Sequence, residues 1–75
     1  MTDKYRPKML VMGVAHRVIY TNYKGETRER TIIPIHLWYG HTDFHKEDQW
    51  LMKALDKDKN QIRDFAMADM KPNWS

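Results

Sequence analysis

Gln49-Trp50-Leu51-Met52-Lys53-Ala54-Leu55-Asp56, followed by Ile62-Arg63-Asp64-Phe65-Ala66-Met67, is the stretch that decides the fold. It reads as two short consecutive strands, the first built around a Trp and the second around Arg-x-Phe. The polar run Asp56-Lys57-Asp58-Lys59-Asn60 joins them as a tight, solvated turn. Period-two alternation puts Trp50, Met52 and Ala54 on one face of the first strand as core candidates. In the second, Ile62 to Ala68, it separates Arg63, Phe65 and Met67 from Asp64, Ala66 and Ala68. Such a pair fixes architecture far better than chemistry.

Working toward the N-terminus, Val14 to Tyr20 mixes β-branched and aromatic residues with polar ones. The segment stops at Thr21-Asn22-Tyr23-Lys24-Gly25, where Asn and Gly supply turn chemistry, so a hairpin is predicted. The returning strand runs from about Glu26 to Ile35, with Arg28, Arg30 and Ile32 opposed to Glu29, Thr31 and Ile33. Pro34 cannot donate to a ladder and places the strand's end, or a sheet edge, there. Residues 36–48 break the alternation and form the longest connection, in which Thr42 or Asp43 would cap a short helical turn. Residues 1–13 read as an arm that is flexible or an edge strand, 14–70 as the β domain, and 71–75 as a tail that Pro72 starts. The fold expected is therefore mainly β, antiparallel, of four to five strands.

With 75 residues the chain is one small domain near the size at which a single core barely offsets chain entropy. It has no cysteine, so disulfides cannot help, and association becomes an expectation. Hydrophobic residues at 41% and charged residues at 31% suit a folded domain rather than a disordered tail. No apolar run approaches the roughly 20 residues of a membrane helix and no secretion signal is present, which makes a cytoplasmic address the expectation and excludes membrane partners. Residues 1–30 carry seven Lys or Arg against three acids, +4, and residues 31–75 carry six against seven, −1. A basic amino-terminal half permits phosphate contact without demanding it.

The order Ile19-Tyr20, Gly25-Glu26, Arg30, Ile33-Pro34, Leu37, Trp50-x-x-x-Ala54-x-Asp56 and Arg63-x-Phe65 resembles the WYL domain of bacterial and phage regulators, from about Val18 to Met70. The resemblance implies a small SH3- or Sm-like barrel, here in a minimal, stand-alone version of phage or mobile-element type, without the helix-turn-helix that often precedes it. The Tyr and Leu that follow Trp in the family name are Leu51 and Met52 here. Asp69 stands where such domains usually carry an Arg thought to line the ligand face, and Arg63 matches a basic position of that face.

His36, His41, Asp43 and His45 are the nearest approach to a metal set, but they lack paired-ligand spacing and read as solvated loop residues, with His45 capping the connection. No metal or other cofactor is expected. Catalysis has no support either: Ser75 is terminal, no Cys is present, no base accompanies a Thr, and Glu47 and Asp48 diverge in an extended chain. Arg17, Arg28, Arg30 and Arg63 with Tyr20, Tyr23, Trp38 and Tyr39 could instead bind an anion, because guanidinium forks grip phosphates and exposed rings stack on bases. The bland alternatives are Arg28 and Arg30 paired with acids such as Glu26 or Glu29, Tyr20 in the core, and Arg63 bridged to Asp69 or Asp56.

Met9, Leu10, Met12, Trp38, Tyr39 and Trp74 would leave apolar surface for a partner or for a homodimer through an edge strand, unless Met9 to Met12 adds a fifth strand to its own sheet. The expected role is a non-enzymatic regulatory module for a negatively charged ligand such as a nucleotide or single-stranded nucleic acid. The competing role is protein–protein interaction or self-association without nucleic-acid binding.

Overall fold

The computed structural model of the protein describes residues 10–72. Five antiparallel strands form one sheet: β1 His16–Thr21, β2 Thr27–Gly40, β3 Gln49–Asp56, β4 Gln61–Ala66 and β5 Met70–Pro72, in the order β4-β3-β2-β1-β5. The two hairpins expected from the sequence are present. In the β1–β2 turn the Asn22 side-chain oxygen accepts from the Lys24 and Glu26 amides, and Gly25 takes φ 84°, which only Gly adopts at no cost. In the β3–β4 turn Asn60 has φ 53°, a conformation that Asn tolerates better than most residues.

Direct cross-strand partners put side chains on the same face. The register therefore gathers Val18, Tyr20, Ile32, Met52, Ala54, Phe65 and Met70 on one inner face, where they are buried together with Leu10 and Met67 packed against them. Each large side chain in this cluster contributes about 1.5–3 kcal/mol by leaving water. Leu51 and Ala66 are fully buried on the outer face. Opposite Leu51 stands Trp38, whose indole crosses β3 to donate from Nε1 to Asp64 Oδ1 on β4 at 3.0 Å.

Several expectations change. Trp50 does share the inner face with Met52 and Ala54, yet it is 54% exposed and is not core. β1 pairs with β2 only as far as Ile32, and Trp50, opposite Tyr39, lies on a part of the β2–β3 ribbon that no third strand among the described residues covers. β2 also runs past Pro34 to Gly40, with an irregularity between Pro34 and His36. Pro34 is tolerated because its nitrogen and carbonyl face the side where β1 has already ended, and there its oxygen accepts from Gly13 N–H at 2.8 Å. No helical turn forms in residues 41–48. Among the described residues a 3-10 turn, Met67–Asp69, sits between β4 and β5.

Asp56 is not a solvated turn residue but the wholly buried end of β3. The fifth strand comes from Met70–Pro72, Leu10–Met12 forms none, and Pro72 belongs to the strand rather than to a tail. Residues 1–9 of the arm, including Met9, and Trp74 lie outside the described residues. No helix among the described residues is long and apolar enough to cross a membrane.

Candidate functional site

β4 and β5 occupy opposite ends of the strand order, yet only Met67–Asp69 separates them in sequence. Three residues span at most about 11 Å. The sheet must therefore curl until its two edges approach. Tyr20 of β1 bridges the remaining gap, because its phenol oxygen accepts from the Ala66 amide at the end of β4 at 3.1 Å. Its ring meets Phe65 edge-on, with centroids 4.9 Å apart.

The same oxygen lies 3.2 Å from His45 Nε2. With one lone pair already taken by Ala66 N–H, the Tyr20 hydroxyl keeps its own proton and a second lone pair for the His45 ring nitrogen. Burial pushes the Tyr20 phenol above its ordinary value. The Ala66 amide opposes that shift, Asp69 reinforces it, and Arg63 and Arg30 oppose it.

Beside this bridge opens a cleft of about 420 Å³ between the β1–β2 turn, the 42–45 loop and β4. Thr42 builds the loop wall: its hydroxyl accepts from the Phe44 and His45 amides, while Thr42 and His45 exchange both backbone hydrogen bonds. That tight turn holds Asp43 and Phe44 at its tip. Phe44 in turn packs against Tyr23, with centroids 5.0 Å apart, and the Lys24 ammonium lies 5.9 Å from the Tyr23 ring centre. Phe65, Arg63 and Asp64 of β4 form the opposite wall. Among the described residues the half-buried Arg63 guanidinium has no carboxylate within ion-pair distance, so neither Asp69 nor Asp56 claims it. Asp64 is committed, accepting from Trp38 and pairing with Lys53 at 3.4 Å.

The predicted set is thus divided. Tyr20, Tyr23 and Arg63 come together in the cleft. Arg28 is exposed at the hairpin end, opposite Tyr20 in the register. Arg17 projects from the outer face and pairs with Glu29, away from the cleft. Arg30 is no rim group: at 5% exposure it is a buried ion pair with Asp56, Nη1 to Oδ2 2.7 Å, and its acid is not the Glu26 or Glu29 of its own hairpin. Trp38 is spent on Asp64, and Tyr39 belongs to the β2–β3 overhang, edge-on to Trp50.

Of the histidine set, His41 pairs with Asp48 and His45 with Tyr20, and no group of three metal-ligating side chains exists among the described residues. His45 does more than cap the loop, since it ties the loop to the core. Asn22, Thr42 and Phe44 were missed as cleft residues. The Thr42-x-x-His45 spacing is the one local signal for the loop's hydroxyl-capped turn, whereas Phe44 reaches Tyr23 only through tertiary folding. No family model, curated protein or solved structure matches the chain.

Proposed function

We propose that the chain is a non-enzymatic, regulatory ligand-binding module whose ligand is anionic and planar, a nucleotide or one unit of a single-stranded nucleic acid. One observation carries the reading: a half-buried guanidinium without a carboxylate partner, Arg63, lines a cleft that also presents Tyr23 and Phe44. A guanidinium in this setting favours phosphate, and open rings favour a base. The volume falls within the ~300–1,000 Å³ range of small-molecule sites.

At the level of fold we read the curled sheet as an SH3- or Sm-like barrel of WYL type. The strand order, the 3-10 turn joining the two edge strands and the Tyr20 bridge support that reading.

The test is binding of short single-stranded DNA and RNA across a salt series. Affinity should fall steeply as salt rises, and Arg63→Ala should weaken it by roughly tenfold or more, the worth of a charge-assisted hydrogen bond. Arg17→Ala, on the opposite face, should change it by less than about twofold. Absence of binding at low salt refutes the reading.

A second reading, self-association, is favoured by the overhang, where Leu37, Tyr39 and Trp50 are exposed beside a β2 edge that β1 leaves unpaired beyond Ile32. Such an edge accepts a further strand. A sedimentation mass that rises with concentration would support it.

A further inference from the structure

We infer that the cleft prefers guanine among the bases, an inference that rests on the nucleotide reading above and adds to it which base edge is read. Two carboxylates line the cleft, and they are not equivalent. Asp64 has its oxygen engaged by Trp38 Nε1–H and Lys53. Asp43 has no ion-pair or hydrogen-bond partner for its side chain among the described residues, although it sits at the tip of a turn held by four hydrogen bonds. A free carboxylate is a poor feature for an anion site, because it repels phosphate. It is useful only if the ligand brings donors to that end.

The cleft is therefore polarised, with Arg63 on β4 as the phosphate partner and Asp43 on the loop as the acceptor, flanked by the Tyr23 and Phe44 rings. An ionised carboxylate is acceptor-only and can take two parallel N–H donors. Guanine alone of the common bases presents two adjacent donors, N1–H and the N2 amino group, on its pairing edge. Cytosine and adenine offer one amino group beside a bare ring nitrogen that would face the carboxylate's negative charge. Uracil and thymine offer one N–H flanked by two carbonyls. The ring pair stacks on any base and so contributes at most a modest preference for purines, which guanine and adenine share. Selectivity is thus assigned to Asp43.

The experiment compares five pentanucleotides that share a thymidine background and differ at the central position: T, G, A, C and hypoxanthine, each titrated at low and moderate salt. The guanine-centred strand should bind about tenfold or more tightly than the all-thymidine strand, the discrimination a bidentate contact gives. The hypoxanthine strand, which lacks the N2 donor, should fall between them. Asp43→Asn replaces one acceptor by a donor and should cut the guanine-to-thymine ratio to about twofold or less. Its melting temperature should stay at that of the parent, since Asp43 is exposed. Equal, salt-dependent binding of all five strands overturns the guanine preference and leaves the anion site standing. A guanine preference that survives Asp43→Asn overturns the role given to Asp43. No binding by any strand sinks both readings.

Discussion

The two halves of β2 carry similar apolar residues and meet opposite fates. Ile32 is fully buried, whereas Leu37 and Tyr39, on the same inner face, are 44% and 58% exposed. The near half lies between β1 and β3; among the described residues the far half pairs with β3 alone. Periodicity chooses the face of a strand, but burial requires a neighbour to close over that face. The near half can even hold an ion pair, Arg30 with Asp56, whose second carboxylate oxygen accepts from the Asp58 amide at 3.0 Å. Opposite the far half, Trp50 of β3 is left largely in water.

The largest effect should come from breaking the near half at its charge pair. Asp56→Ala strands a buried guanidinium and is expected to cost about 3–5 kcal/mol, read by urea unfolding. Arg30 Nε already lacks a partner among the described residues, so losing Asp56 would add a second unmet donor to a buried guanidinium. Replacing both residues by apolar side chains of similar volume should recover most of that loss. A loss below about 1 kcal/mol on Asp56→Ala would mean water reaches the pair, and the contrast between the halves would weaken.

Next comes the bridge that curls the sheet. Tyr20→Phe keeps the ring against Phe65 but leaves the buried Ala66 amide without its acceptor and unties His45, at about 1–3 kcal/mol. It should also raise amide exchange at Ala66 and in residues 42–45 together. The same hydroxyl predicts a pH effect. Because the folded phenol is held above its ordinary value of 10.0, the folded state retains a proton that the unfolded state loses first. Stability from this group is complete below pH 10 and declines as pH rises through the folded value. Tyr20→Phe should flatten that alkaline decline in a melting-temperature profile. An unchanged profile would place the titration elsewhere.

These effects also mark what could be read in advance. β1, the first part of β2, β3, β4 and both hairpins were legible because Asn22-to-Gly25 and Lys57-to-Asn60 punctuate clear alternation, whereas β2 beyond Ile35 and β5 were not. The division of a single face into covered and uncovered parts was not, because it depends on where β1 stops relative to β2, a register that no local pattern encodes. The arginines divide for a related reason. Arg30 and Arg63 look alike in sequence, and only the fold puts Asp56 beside one and leaves the other without an ion-paired carboxylate among the described residues. Tyr20 and Tyr23 were legible as members of the site, whereas the loop wall depends on Thr42 folding back on two amides.

The smallest expected effect is the sharpest test of the contrast. A Trp truncated to Ala in a packed core costs about 3–5 kcal/mol. Trp50→Ala should cost no more than about 1 kcal/mol in dilute protein, because the indole is largely solvated and its ordered contact is the edge-on ring of Tyr39, centroids 5.2 Å apart. A larger loss would mean that something covers the overhang in solution, and its concentration dependence would say what. If the chain itself folds over Trp50, the loss is the same at every concentration. If a second copy covers it, the parent's melting temperature climbs with protein concentration and that of Trp50→Ala does not. The side chain that the β2–β3 overhang leaves largely exposed in a monomer would then be the residue that a dimer buries.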